Sequence, residues 1–526
     1  MKFLICCLFF GCLFAHVPEF LEPKYVDLAK KEVASLSIKE KVARLFFAPC
    51  FSENNDFYLE DLKALIQEKQ IGGVLFSRGT VVAQKKLIDT FDNLSNHSLI
   101  YALDAEWGVA MRLNDMPGFP RNMTLGAIQD ESLLFEVGKK IGQQCVCAGV
   151  HFNFAPVLDV NNNPKNPIIH MRSFGDRPLD VARRGTLLFQ GMQTKGVLAF
   201  GKHFCGHGDT HIDSHEDLPV LDFDRERLNQ TELVPFKAAI DQGIGGMMIG
   251  HLKVPVIDSK FPTSLSEKAL NLLKKELGFE GLVITDALNM KAIVNQYGLL
   301  EAALIAYQAG CDLFCYLVLD QEKLKQMICE VIPQSIDLIA QKIEEKVLLE
   351  EELDEKVIKL IACQKWMENK RKAVDPKKND TYMIQMLYDK AMTYLGDPQN
   401  LMLDPHEKLQ LVSLGEAKTK TLQTCLDRHM LLEEKTLENL DPNQKTLCVL
   451  YKMDKNDPDL QKLKNLKNTL FIVFDTPYLL QHFTKDQNVL LCYEETIFSQ
   501  NSAYKALMGV LFPQGKLPVE VFFSQP

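Results

Sequence analysis

Eight short apolar runs, spaced along residues 40–320 and separated by amphipathic stretches, constrain this chain more than any other feature. The runs cover 42–50, 71–76, 99–104, 150–160, 197–203, 246–251, 282–286 and 312–318. They are rich in Val, Ile, Leu and Phe without polar alternation, as strands covered on both faces must be. Helix-like segments lie between them at 80–94, 132–145, 180–194, 224–242, 266–277 and 299–309. Strand–helix repetition of this length predicts an α/β fold, specifically a (β/α)8 TIM-type barrel. A doubly wound sheet is the alternative, but no Gly-x-Gly-x-x-Gly opens the first unit. Asp104, Asp159, Lys202, His203, His251 and Asp286 all fall at or just past the C-terminal ends of apolar runs. A barrel gathers its active site at that rim.

The remainder divides around this unit. An amphipathic stretch at 336–371 reads as helix with a solvated charged face. Residues 375–380 (DPKKND) read as a linker, and strand-like runs at 409–414, 446–451, 469–474 and 489–492 predict a smaller C-terminal α/β domain. The expected organisation is a signal peptide at 1–15, a catalytic barrel with trailing helices at 16–373, a linker and connecting helix at 374–398, and the second domain at 399–526.

Lys2 precedes an apolar run at 3–15, too short to span a bilayer, which needs ~20 residues. With Ala15 at its end it reads as an export signal, and the Gly11-Cys12 pair leaves a lipoprotein cleavage site as the other reading. No later stretch reaches membrane-spanning length. A net charge of −10 leaves no basic stripe for phosphates, which excludes a nucleic-acid partner. Of 14 cysteines several sit in apolar runs, where a thiol behaves as a small hydrophobe, so no disulfide framework is expected.

His203, His207, His211 and His215 form an i, i+4 ladder. On a helix that spacing would build a metal site, the basis of a metal-dependent hydrolase reading. Gly206 and Gly208 flank His207, and Asp213-Ser214 precede His215, so a loop in which the histidines have separate jobs fits better. Asp213, two residues from His215, can accept from one ring nitrogen and leave the other facing a substrate, as in a catalytic triad without its serine. A plain surface histidine is the other reading. Asp286 ends an apolar run, where it is either an ion-pair or helix-cap carboxylate, or a nucleophile for an anomeric carbon.

Residues 202–219 (KHFCGHGDTHIDSHEDLP) resemble the KHFPGHG…DSH…P signature of family-3 glycoside hydrolases, in the β-N-acetylglucosaminidase (β-hexosaminidase) branch. The likeness continues in 103–112 (LDAEWGVAMR), 153–178 (NFAPVLDVNNNPKNPIIHMRSFGDRP) and 284–290 (ITDALNM), and spans nearly the whole chain. It implies a retaining exo-β-N-acetylglucosaminidase working through a covalent glycosyl-aspartate, with Asp286 as nucleophile and His215 as acid/base held by Asp213. It implies Asp104, Arg112, Arg172, Lys202 and His203 around the sugar, and no metal or cofactor. A phosphorolytic β-N-acetylglucosaminidase or a β-glucosidase of the same family is the alternative, and a binding protein without catalysis a more distant one. The substrate class implied is a GlcNAc-containing glycan, typically a peptidoglycan fragment. With the leader, this places the protein in a bacterial periplasm or envelope, not integral to the membrane, with a lipid anchor or a homodimer as partner states.

Several positions depart from the pattern. Cys205 replaces the signature proline, which would give thiol or oxidant sensitivity if the side chain is exposed. His170 stands where a small residue is usual and Trp107 where glycine is common; Trp107 either stacks on a sugar or packs at the rim. Arg172 could instead pair with Asp159, His207 and His251 read as supporting residues, and Glu106 as one that orients its loop. Glu494 and Glu495 follow a strand of the second domain, where the β-glucosidase branch draws its acid; the DSH loop makes such a donor unnecessary.

Overall fold

The computed structural model describes residues 16–53, 57–212, 217–318, 320–371, 380–415, 420–454 and 456–524. The first eight strands are β1 (Phe46–Cys50), β2 (Gly73–Phe76), β3 (Ile100–Leu103), β4 (Phe152–Asn153), β5 (Leu198–Phe204), β6 (Gly246–Ile249), β7 (Leu282–Thr285) and β8 (Phe314–Cys315). They pair in the order β7-β6-β5-β4-β3-β2-β1-β8, and every ladder is parallel. A bridge between Ile284 and Leu313 joins the two ends of this order, so the sheet is a nearly closed barrel. All eight runs expected from the sequence contain a strand, and every strand residue is buried.

Local chemistry explains several element ends. Ser37 and Glu40 form a reciprocal capping box that starts the helix Ile38–Ala43. Thr80 accepts from the Ala83 amide at the head of Val81–Asp92. Gly310, at φ +110°, closes Leu299–Ala309 and turns the chain into β8.

The 336–371 stretch is not one helix. It takes in most of the helix Ile332–Glu344 and all of Glu350–Lys370, with a break where Lys346 takes a positive φ of 60°. Nor is the second only a solvated face, because it buries Leu353, Val357, Leu360, Ile361 and Trp366. Near its start it holds Lys41 through Glu350 (2.9 Å) and Asp354 (2.6 Å).

The second sheet has six strands in the order β11-β10-β12-β13-β14-β9. Its members are β9 (Thr393–Leu395), β10 (Lys408–Gly415), β11 (Leu431–Glu434), β12 (Thr446–Tyr451), β13 (Thr469–Phe474) and β14 (Asn488–Leu491). The segment 374–398 is therefore more than a linker and connecting helix, since β9 adds an antiparallel edge to the second sheet. The other edge, β11, was invisible as an apolar run: its residues are exposed or half-buried, and Glu433 bonds Lys408 and Lys435. Charged edge strands resist pairing with other chains.

Among the described residues no helix is long and apolar enough to cross a membrane. Cysteines 50, 145, 147, 205, 311, 315, 329, 363, 425, 448 and 492 are all free thiols, and most are buried.

Candidate active site

At the C-terminal mouth of the barrel lies a cavity of about 260 Å3 whose lining includes Asp104, Arg112, Arg172, Lys202, His203, His207 and Asp286. Each side chain arrives from a strand end or the loop after it, so the rim expected from the sequence is a real surface. Leu75, Phe154, Met248 and Cys315 supply apolar lining. Asp213 and His215 lie outside the described residues.

Two carboxylates organise the cations. Asp104, just past β3, accepts from Lys202 Nζ at 2.8 Å and from Arg112 Nη2 at 2.6 Å. Glu106 is buried and meets Lys202 Nζ at 2.9 Å and Arg172 through two nitrogens, Nη2 at 2.7 Å and Nε at 3.0 Å. Paired, fork-like contacts of this kind fix both partners. Burial alone would raise both carboxyls, but the surrounding positive charges outweigh it. Asp104 is held well below the usual carboxylate range by Lys202 and Arg112, and Glu106 is brought down to about 2 by Arg172 and Lys202. Burial opposes the Arg172 charge, and Glu106 more than restores it.

Asp159 does a different job. It receives the His203 ring at 2.7 Å from Nδ1 and the His207 amide at 2.7 Å. The Arg172–Asp159 pair considered above is thus replaced by Arg172–Glu106 and His203–Asp159. His203 turns Nε2 toward Arg172 Nη2, 3.4 Å away. His207 is buried, meets Thr210 Oγ1 through Nδ1 at 2.9 Å, and is held neutral by burial and by neighbouring His203, with its pKa brought down to about 4. Glu106, read as a loop-orienting residue, is the central bridge of the site. Its position two residues past an apolar run was the available signal.

Asp286 directly follows β7. Its amide donates to Ile249 O (2.9 Å), and its Oδ1 accepts from the Ala287 amide (2.7 Å). The helix that follows, Lys291–Tyr297, has Met290 as its N-cap residue, so Asp286 does not cap it. His251 supports this strand end, with Nε2 donating to Ala287 O at 3.0 Å and Nδ1 meeting Ser264 Oγ at 2.7 Å.

The four-histidine ladder is not a helix face. His203 ends within β5, His207 follows in a turn, and His211 is exposed. Among the described residues no cluster of three His, Cys, Asp or Glu side chains could hold a metal ion. Cys205 is buried, and burial pushes its thiol up to about 12, so the condition for a reactive thiol is not met. Trp107 carries the Arg121 guanidinium over its ring at 4.9 Å and is not among the cavity residues. Glu494 accepts from the Arg121 amide (2.8 Å) and the Thr124 hydroxyl (2.6 Å), an interdomain clamp.

A barrel mouth of this size, with ordered charges set around the Asp286 carboxylate, is where proteins of this fold bind small polar molecules. The chain belongs to glycosyl hydrolase family 3: residues 37–362 match the family's N-terminal domain. It is 34% identical over 279 residues to β-hexosaminidase A of Pseudoalteromonas piscicida, an alignment taking in 48% of this chain and 47% of that one. The chain thus spans about half the length of that relative. It is 33% identical over 266 residues to β-hexosaminidase LpqI of Mycobacterium tuberculosis, covering 48% of this chain and 68% of that protein. The structure of a family 3 β-N-acetylglucosaminidase from Paenibacillus sp. str. FPU-7 superposes with a TM-score of 0.80 at 28% identity, over 92% of this chain and 99% of that one.

Proposed function

We propose that the protein is a glycoside hydrolase, a retaining exo-β-N-acetylglucosaminidase that removes terminal β-linked GlcNAc. The observation that carries the reading is Asp286 sharing one cavity with Asp104, Arg112, Arg172, Lys202 and His203. The names of the relatives support the sugar, and the cavity admits about one ring.

In this reading the Asp286 carboxylate attacks the anomeric carbon and forms a glycosyl ester. The glycosidic C–O bond breaks as His215, oriented by Asp213, gives its proton to the leaving oxygen. His215 then takes a proton from water, whose oxygen displaces Asp286 and regenerates the carboxylate. Asp104 accepts hydrogen bonds from sugar hydroxyls, while Arg112, Arg172, Lys202 and His203 donate to ring substituents. The Asp104 and Glu106 contacts hold Arg112, Arg172 and Lys202 in place before substrate arrives, and Asp159 holds His203, so little reorganisation accompanies the reaction.

The natural substrate in this proposal is a peptidoglycan-derived GlcNAc fragment, and the protein is exported to the periplasm or envelope, a reading that rests on Lys2 and the apolar run at 3–15. Fractionation of cells expressing the full chain tests the location.

The activity is tested with 4-nitrophenyl β-GlcNAc and β-Glc, each with and without phosphate. GlcNAc-selective release that is lost in both Asp286→Asn and His215→Ala is the expected result. Glucoside turnover that survives His215→Ala would move the acid elsewhere, and phosphate-dependent turnover would make the enzyme a phosphorylase.

A further inference from the structure

The cations of the cavity are not all fixed by the same part of the molecule. Lys202 sits on β5, and Arg112 is held by Asp104 just past β3, so the barrel positions both. Arg172 lies in a loop, on the single helical turn His170–Arg172, and that turn is gripped from outside the barrel.

One grip runs through Tyr478, on the turn Pro477–His482 just after β13. Its hydroxyl accepts from Asn161 Nδ2 at 2.6 Å and donates to Asn161 O at 2.9 Å. Asn161 is fully buried, and its Oδ1 accepts from the His170 amide at 2.9 Å. The His170 ring lies 5.5 Å from the Tyr478 ring, centroid to centroid. His170 holds φ +41°, a left-handed conformation that a residue with a Cβ keeps only when its surroundings impose it.

A second grip starts at Glu494, after β14. Its carboxylate holds the Arg121 amide and the Thr124 hydroxyl, and so seats the short helix Asn122–Gly126. From that helix the buried Asn122 donates to the Arg172 carbonyl at 2.7 Å. A third contact comes from the chain's last segment: the Asp176 amide reaches Pro518 O at 3.3 Å, and the Glu520 amide donates to Asp176 Oδ2 at 2.6 Å.

We propose that the second domain completes the sugar pocket by holding the turn that carries Arg172, with Tyr478 and Glu494 as positioning residues. The inference rests on the reading that Arg172 contacts the sugar. Neither residue touches substrate; each acts through a buried asparagine on the backbone of one turn. A loop left to the barrel alone would keep the Glu106–Arg172 pair but lose the constraints on its backbone, so the guanidinium would spread over several positions. The cost then falls on binding, because the nucleophile and its strand are built elsewhere.

Steady-state kinetics on 4-nitrophenyl β-GlcNAc with the full chain test this. Tyr478→Phe removes one hydroxyl, and Glu494→Gln weakens the other grip. Each is expected to raise KM by roughly three- to tenfold, the size of one buried hydrogen bond, with kcat within about twofold. Adding Tyr478→Phe to Arg172→Lys should raise KM no further, because both changes act on one contact. Ile472→Val, in the core of the second domain, should lower the melting temperature and leave KM alone.

Lowered melting temperatures with wild-type KM in both Tyr478→Phe and Glu494→Gln overturn the inference and leave Arg172's own role intact. If Tyr478→Phe does not fold, Glu494→Gln decides the matter alone. A normal KM in Arg172→Lys removes the sugar contact itself, and the inference falls with it. Absence of turnover by the wild type is instead a failure of the proposed activity.

Discussion

The barrel buries a cluster of opposite charges at each end, and the two are built alike but finished differently. At the mouth, Asp104 and Glu106 meet Lys202, Arg112 and Arg172. At the base, Asp312 is surrounded by Lys274 (3.2 Å), Lys356 (3.7 Å) and Lys359 (3.7 Å). The base cluster turns its remaining donors and acceptors onto main chain. Asp312 takes the Val283 amide at 2.8 Å, Lys356 donates to Cys311 O at 2.8 Å, and Lys274 to Gly310 O at 2.6 Å. It is a latch that ties β7, β8 and the helix Glu350–Lys370 together. At the mouth the same kinds of side chains face a cavity that also holds a carboxylate from a third strand. Burial and paired charge are common to both regions. Each cluster borders a cavity, about 260 Å3 at the mouth and about 220 Å3 at the base, so open space alone does not make a site. What separates the two is where the polar groups are spent: on main chain at the base, and around the further carboxylate of Asp286 at the mouth, in keeping with the division of labour between barrel faces.

The sharpest way to break this comparison is to remove one carboxylate from each region. Asp286→Asn should lower kcat at least ~1,000-fold while the melting temperature stays close to wild type, read by turnover and calorimetry on the same sample. Asp312→Ala leaves buried lysines uncompensated and should cost about 3–5 kcal/mol of stability in denaturant titration. Its kcat/KM per folded molecule should remain near wild type; a large activity loss there would mean the two ends are coupled. Arg112→Ala removes one of the two cations bonded to Asp104 and is expected to lower kcat/KM by roughly 10–100-fold, chiefly through KM.

Acid distinguishes the regions more gently. His207, with its pKa at about 4, lies below the unfolded value of ~6.5, so the unfolded chain binds more protons between those limits. Its contribution is fully present above pH 6.5 and is lost as pH falls toward 4. Glu106, at about 2, adds a second loss from ~4.3 downward. Denaturation midpoints measured from pH 7 to 3 should show both losses, and Glu106→Gln should shrink only the lower one, to which Asp104 and Asp312 also contribute. The smallest effect concerns thiols: a maleimide should label exposed Cys329 in the native protein without loss of activity, leaving buried Cys205 and Cys315 untouched. Inactivation that tracks labelling of Cys205 would contradict the burial described above.

The barrel strands were legible because each falls in a largely apolar run, and the rim residues because a polar group at the end of such a run has few places to go. The lengths were less legible. The run at 150–160 yields only Phe152–Asn153 as ladder, since Pro156 has no amide to give and the chain already bends toward the mouth. The partners of Arg172 and Asp159 could not be read, because the choice between two carboxylates is made by loop packing. Asn122, Asn161 and Tyr478 left no local signal at all. Tyr478 and Asn161 are 317 positions apart and meet only when the two sheets come together. The edge strand β11 was hidden by its own charge.

The way the barrel closes has a consequence for how it moves. Strand β7 is stitched to β6 by four register pairs but shares a single bridge with β8. Main-chain hydrogen bonds from Thr285, Leu288, Asp312 and Leu313 and the Asp312 latch still tie the two segments together. The wall is a rolled sheet whose closing edge is sewn by scattered stitches and pinned at its base, and that edge runs alongside the strand that ends in Asp286. Opening there has to begin at the mouth, above the pin, so the amide of Leu288 should exchange with solvent ahead of those of Asp312 and Leu313.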